Sequence, residues 1–366
     1  MSLPFVPCTK QEYSATSIKT FQNCRLQFYY DKMLDPRIKT KTTIELVLGS
    51  FMHGKIENFY KPDGTPKNKT AEAFTNCSIG QWKRLIGKGT YRGRAIDFRN
   101  LDGEEEKGIG YSKEFDIKQM CPKIYERYSV SPPPTRIEEE IHLGILHDGL
   151  IYRMVAKLDE IRDGLIIRDH KSDKGKPPRL DSSSLNHDIQ FTIYAAAVSF
   201  QCMASKDPVF LEKMGVTKED LEALVEDPLH LMERIKIEHH HLRTGRLTPT
   251  YRRKTDFYDI IDYMKEIEQF KKDIGSSEQA LSMLKLKTPR RKERCRWCLY
   301  GDHCERDYEK ERVCAPKRDF EIVSVSEGKP KKKKDVDQIK LQRRTSKGET
   351  RFVVVQPKPR GQIALL

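Results

Sequence analysis

The sequence predicts a mixed α/β fold: helices, then a three-strand antiparallel meander, then one helix and a further strand. Three observations carry this expectation. Strand-like runs at Arg136–Leu146, Leu150–Ile161 and Leu165–Lys171 are separated by turn signals at His147-Asp148-Gly149 and Arg162-Asp163-Gly164. The segments on either side carry apolar residues at helical spacing. Met232–His241 supplies one more strand candidate, turned at Thr244-Gly245 into Leu247–Tyr251.

In chain order, Ser14–Leu34 reads as one helix, capped by Ser14 or Thr16, with Ile18, Phe21, Phe28 and Tyr29 on its apolar side and Cys24 within it. Asp35-Pro36 ends it, because the residue before a proline avoids helical geometry. A second helix covers about Thr43–Tyr60 and puts His53 and Glu57, four apart, on one face. Lys61–Thr70 is a polar loop, and residues 71–130 read as helical with interruptions at GKGTYRG and Pro122. Pro132–Pro134 makes a rigid break before the meander. Leu185–Gln201 follows it as a helix on which Gln190 and Tyr194 share a face. That spacing suits polar groups lining a nucleic-acid cleft, and equally a buried tyrosine at an amphipathic boundary. Thr255–Ile274 and Ser277–Leu286 are further helices, and Arg294–Tyr308 forms a cysteine-rich knuckle. Beyond Ala315 the chain is Lys-rich and poorly periodic, with Arg351–Val355 its one strand candidate. The expected organisation is a domain over 1–314 and a basic, flexible tail over 315–366.

The chemistry concentrates in Met154–Lys174. If Arg162–Gly164 is a three-residue loop with Gly164 left-handed, Ile161 pairs with Leu165 and Asp159 with Ile167. Asp159 and Asp169 then share a sheet face as diagonal neighbours roughly 7–8 Å apart, with Lys171 next along the strand. A two-residue loop would send the two aspartates to opposite faces. Two carboxylates and an amine on one face are costly unless compensated; a hard divalent cation compensates them and keeps waters for substrate phosphate. The plainer reading of this stretch alone is a solvated hairpin edge.

The net charge of +14 favours an anionic partner. Residues 315–366 hold 14 Lys/Arg against 6 Asp/Glu, so +8 of it lies in the tail and the body is mildly basic. The lysine run Lys331–Lys334 reads as solvated tail that would add salt-dependent affinity for nucleic acid. The opening MSLPFVPCTKQEYSATS lacks a signal-peptide layout and no run approaches 18 apolar residues. The expectation is a soluble cytoplasmic protein with no membrane contact, in a bacterial, archaeal or phage-infected cell, its nine cysteines serving as metal ligands or free thiols rather than disulfides.

The ordered motifs SATSIKTFQNCRLQFYY, GSFMHGKIENF, AKLDEI, DHKS and QFTIY resemble the RecB-type branch of the PD-(D/E)XK nucleases over roughly residues 12–310. The resemblance implies a restriction-endonuclease-like core in the order αβββαβ, a mixed central sheet flanked by helices. It makes His53, Asp159 and Asp169 metal ligands, with the His170 carbonyl a further one, Lys171 the catalytic lysine, and Gln190 and Tyr194 the QxxxY pair beside the active site and DNA. Ala156 departs from the glycine of the GxxD motif, which leaves the ligand in place. One of Glu138–Glu140 on the first strand could add a carboxylate.

Cys295-x2-Cys298-x5-Cys304 is one thiolate short of a tetrahedral set. An iron-cluster subset of these nucleases, the CRISPR-associated exonucleases and AddB subunits among them, takes one cysteine before the nuclease motifs and three after. Cys24 with Cys295, Cys298 and Cys304 resembles that arrangement and implies a 4Fe-4S staple. The alternative is a zinc knuckle completed by His303 or Cys314. Cys8, Cys77, Cys121 and Cys202 read as free thiols. The function implied is a Mg²⁺- or Mn²⁺-dependent deoxyribonuclease, an exonuclease on single-stranded or free DNA ends in recombination, repair or replication, with a helicase or recombination protein as partner. The alternative is a catalytically silent DNA-binding adaptor on the same scaffold.

Overall fold

The computed structural model describes residues 12–33, 38–39, 42–98, 109–147, 150–172, 185, 188–275, 300, 321–322 and 351–354. The described helices are α1 (Ala15–Asn23), α2 (Arg25–Phe28), α3 (Ile44–Glu57), α4 (Ala71–Gly87), α5 (Ile109–Val130), α6 (Ile189–Ala204), α7 (Pro208–Met214), α8 (Lys218–Glu226) and α9 (Lys254–Gly275). The strands are β1 (Glu12–Tyr13), β2 (Ile38–Lys39), β3 (Thr42–Thr43), β4 (Thr90–Tyr91), β5 (Arg94–Asp97), β6 (Arg136–His147), β7 (Leu150–Arg162), β8 (Ile166–Lys171), β9 (Lys236–His241), β10 (Arg246–Thr250), β11 (Glu321–Ile322) and β12 (Arg351–Val354). The mixed α/β class and the strand–strand–strand–helix–strand order stand as expected.

The main sheet runs β10-β9-β8-β7-β6-β12, with β1 pairing in parallel to β7. β6, β7 and β8 are the antiparallel meander, and β9 joins β8 in parallel after the helical crossover. A parallel strand needs such a crossover, and α6 supplies it. The sheet and α6 share an apolar core that includes Ile161, Ile167, Phe191 and Phe200, all buried. A second core gathers α3, α4, α5 and β5 around Trp82, Phe59, Met120 and Tyr128. Leu242, at the tip of the β9–β10 turn, is buried in that second core and ties it to the sheet.

Two expectations change. The β7–β8 loop does have three residues and a left-handed Gly164 (φ 75°), but they are Asp163, Gly164 and Leu165. Ile161 therefore pairs with Ile167 rather than Leu165. A two-residue slide keeps every side chain on its face, so Asp159 and Asp169 stay together and come nearer to being directly opposite. Leu165 adopts φ 59°, off the ladder, where its carbonyl accepts from Lys236 N at 3.0 Å.

The first helix is also broken at Cys24, which is extended (φ −163°, ψ 108°) and caps both pieces. Its amide donates to Thr20 O, ending α1, and its Sγ accepts from Gln27 N at 3.4 Å, starting α2. Cys24 is thus a hinge between helices rather than a mid-helix residue. Residues 206–226, for which the sequence carried no assignment, form α7 and α8, each N-capped by Asp207 or Thr217. In the tail, Arg351–Val354 is a strand on the edge of β6. The expected helix at Ser277–Leu286 lies outside the described residues, as do Cys295, Cys298 and Cys304. No helix among the described residues is long and apolar enough to cross a membrane.

Candidate active site

The site is built where the β7–β8 ladder stops. Pairing ends at Glu160↔Arg168, while β8 continues along β9 as far as Lys171↔His241. In the gap that opens, Asp159 Oδ2 accepts the His170 amide at 2.7 Å. That bond satisfies a backbone donor the ladder has abandoned and fixes the carboxylate.

α3 brings His53 across this gap. Thr43 caps the helix, accepting from Leu46 N, and Gly49, four residues before His53 and so on the same face, makes the close approach possible. A Cβ at Gly49 would sit 3.2 Å from Ser172 Oγ, just past the end of β8. His53 Nε2 donates to the His170 carbonyl at 2.9 Å and Nδ1 lies 3.2 Å from Asp159 Oδ1. Both ring nitrogens face acceptors, which is the pattern of an imidazolium. Burial works against that charge, but the hydrogen bond and charge of Asp159 outweigh it and raise the His53 pKa. The same contact acts in reverse on Asp159: burial would raise its pKa, and His53, His170 and Lys171 together hold it below the ordinary carboxylate range.

Of the three glutamates Glu138–Glu140, Glu138 is the one that joins the site. Its φ of 50° kinks β6 opposite Asp159, and its Oε1 lies 3.9 Å from His53 Nδ1. Ligand atoms of His53, Glu138 and Asp159 lie within 4.8 Å of one another. Glu139 instead bonds Arg136 and Gln201, and Glu140 bonds His142. Burial, then the charge of Asp159, raises the Glu138 pKa.

Asp169 lies outside that trio, in a second cluster beside it. Lys171 Nζ is 3.0 Å from its Oδ1 and 2.8 Å from its Oδ2. Gln190 Nε2 donates to Asp169 Oδ1 at 2.9 Å and lies 2.7 Å from the Tyr194 hydroxyl. α6 sets that geometry: Asp188 caps it, accepting from Gln190 N, and is held by Lys19 of α1 at 2.6 Å. Asp169 is 1 % exposed. Burial and the nearby Asp159 charge raise its pKa against the pull of Lys171. Lys171 keeps its proton, since burial is outweighed by Asp169 and Asp159.

Three carboxylates thus face His53 and Lys171, with the exposed Lys157 3.8 Å from Glu138 at the rim. The donors are hard oxygens and an imidazole in a largely buried setting. That set fits a divalent cation of the Mg²⁺ or Mn²⁺ kind.

The other side of the same two strands is a polar network, in which Arg168 Nη1 and His240 Nε2 are buried without a hydrogen-bond partner. Glu160 receives the Tyr128 hydroxyl at 2.5 Å and Arg162 NH1 at 3.0 Å, with His170 Nε2 at 3.4 Å. His170 Nδ1 meets His240 Nδ1 at 3.1 Å, and Arg168 pairs with Glu238 at 2.7 Å. Behind Lys171, Arg243 donates to Ser172 O at 2.7 Å and pairs with Asp116 of α5. No local pattern announces this clamp, because Asp116 and Arg243 are 127 residues apart.

Compared with known families, the chain matches the model of the PD-(D/E)XK nuclease superfamily over residues 12–305. No curated protein matches it at a significant level.

Proposed function

This chain belongs to the PD-(D/E)XK nuclease superfamily, and from that premise we propose that it is a Mg²⁺- or Mn²⁺-dependent deoxyribonuclease, acting as an exonuclease on single-stranded or free DNA ends in recombination, repair or replication. The convergence of His53, Glu138 and Asp159 beside the Asp169–Lys171 pair is the observation that carries the reading. His53, Asp159 and Asp169 would hold the ion, with Glu138 and the His170 carbonyl at hand. When bound, such an ion polarises the scissile phosphate and lowers the pKa of a coordinated water.

The chain's own groups do the rest. Lys171, held protonated, donates hydrogen bonds to the attacking water or to a phosphoryl oxygen. Gln190 fixes the Asp169 carboxylate, and Tyr194 backs Gln190 from the next turn of α6. His53 must lose its proton to bind a metal through nitrogen, so loading releases a proton.

The same reading places a 4Fe-4S cluster on Cys24, Cys295, Cys298 and Cys304. Tyr300 lies between the last two of these in sequence; it stacks on Tyr30 at 5.6 Å and donates to Asp31 at 3.1 Å. Both partners lie within seven residues of Cys24, which supports bringing the two cysteine segments together. Protein purified without oxygen should be brown and carry about four irons per chain; a colourless protein with stoichiometric zinc would overturn the cluster.

The decisive assay uses single-stranded DNA labelled at its 5′ or 3′ end, with Mg²⁺, Mn²⁺ or EDTA. Asp169→Ala and Lys171→Ala should each lower cleavage by about 10³-fold or more, a loss of about 4 kcal/mol in transition-state stabilisation, with DNA binding largely kept. Unchanged cleavage by both purified variants would remove the site assignment. Binding without any metal-dependent cleavage in the wild type would favour a silent adaptor.

A further inference from the structure

The hairpin β4–β5 breaks a local rule. Its ladder pairs Thr90 with Ala95 and Tyr91 with Arg94, leaving Arg92-Gly93 as a two-residue turn with φ of 50° and 76°. A turn that is left-handed at both positions favours Asn-Gly or Gly-Gly. Arginine at the first of them works against the steric preference of its own backbone. Packing does not explain it: Arg92 is exposed, and its guanidinium lies over the neighbouring Tyr91 ring, 5.3 Å from the centroid. Residues kept where local geometry disfavours them gather at functional sites.

The charge around the turn is of one sign. From Ala73 to Ile96 the chain has five cations, Lys83, Arg84, Lys88, Arg92 and Arg94, and no Asp or Glu. All five are exposed. Among the described residues only Lys83 meets a carboxylate, Glu114 at 3.3 Å. The hairpin is also tied to the catalytic helix. β5 pairs in parallel with β3, Thr43 opposite Asp97, and Thr43 is the cap of α3. The pairing places the hairpin at the N-terminal end of α3, and His53 lies ten residues along that helix, about 15 Å at 1.5 Å per residue. Phe115, 64 % exposed, lies on the second turn of α5 at the same end of α3, where Lys113 bonds Glu45 at 3.0 Å; an exposed ring is a stacking surface for an unpaired base.

We propose that the Tyr91–Arg94 hairpin is a DNA-strand contact that grips phosphates several nucleotides from the bond being cleaved. Arg92 and Arg94 neutralise the phosphates, and Tyr91 holds the Arg92 guanidinium in place. The proposal rests on the nuclease reading and adds to it a grip on single-stranded DNA outside the metal site.

The test uses the full chain, with Arg92→Asn and the double variant Arg92→Glu/Arg94→Glu, on single-stranded DNA of about 30 nucleotides and on a trinucleotide too short to span the distance. Arg92→Asn creates the favoured turn pair, so it should melt no lower than the wild type and cannot act by unfolding. It should nonetheless reduce the slope of log affinity against log salt by about 0.7, one single-strand phosphate contact. The double variant should raise KM on the long strand about ten-fold and leave cleavage of the trinucleotide as it was. Unchanged KM and salt slope on the long strand in both variants would overturn the hairpin contact, as would an equal loss on both substrates. Tighter binding of the matching RNA with the same arginine dependence would overturn DNA as the partner. If the wild type cleaves nothing yet the salt slope still falls in the variants, the hairpin stands and the catalytic reading fails.

Discussion

Strands β7 and β8 carry charge on alternate residues, and the two sets are treated in opposite ways. Glu160, Arg168 and His170 are matched on their side by Arg162, Glu238, Tyr128 and His240. Asp159, Asp169 and Lys171 are joined on theirs by Glu138 and His53, with the exposed Lys157 reaching Glu138 at 3.8 Å from the rim. Both sets are largely buried, so burial alone does not separate structure from function. What separates them is the kind of group that converges. One side interleaves carboxylates with arginines, histidines and a tyrosine and ties the strands together, whereas the other, the open side, gathers two carboxylates and an imidazole within 4.8 Å, a ligand set that a cation can join.

The contrast breaks most visibly if the structural side is cut. Arg168→Ala leaves Glu238 with Lys236 alone, at 2.9 Å, weakens the hold on Glu160, and should cost about 3 kcal/mol of stability, read as a lower midpoint in urea. A loss under about 1 kcal/mol would mean that Arg168 does not hold the two strands together. On the open side, Mg²⁺ at about 100 times its Kd should add about 2.7 kcal/mol, seen as a rise in melting temperature. That gain should vanish in Asp159→Asn; if it persists, the ion binds elsewhere.

Acid should sharpen the same contrast. Burial alone would raise the Glu160 pKa from 4.5, but the His170 hydrogen bond and charge, then Arg162, hold it at about 2. A depressed folded-state pKa means its contribution is full above about pH 4.5 and is lost as pH falls toward about 2. Glu160→Gln should therefore flatten the acid limb of an unfolding titration across that window, and an unchanged limb would count against the network. The smallest effect on stability belongs to Gly49→Ala. Helix propensity favours alanine by about 1 kcal/mol, while the new Cβ presses Ser172 Oγ at 3.2 Å. Net stability should move by less than about 1 kcal/mol, yet cleavage should fall several-fold as α3 and His53 shift from Asp159. Full activity in this variant would show that the helix has slack.

The acids, the lysine and the QxxxY pair were legible because strand alternation and helical spacing are local properties. The exact pairing was not: a slide of two residues preserves every face, so periodicity cannot distinguish Ile161 opposite Leu165 from Ile161 opposite Ile167. Nor could the run Glu138–Glu140 announce which member turns inward, since that depends on a single left-handed residue at Glu138. Cys24 looked mid-helical because apolar residues continue on both sides of it, while the break comes from its own capping bonds. The Arg243–Asp116 clamp joins residues far apart in sequence, and no local pattern encodes such a pairing.

β12 sits antiparallel along β6, Arg351 opposite Leu146 and Val354 opposite Leu143. Cutting the protein at residue 314, where composition alone would draw the border, would strip a neighbour from a long ribbon and leave its amides and carbonyls open to the first compatible chain. Shortened versions made for crystallisation should accordingly self-associate, and a trimmed product that clumps would say more about this missing seam than about the catalytic half.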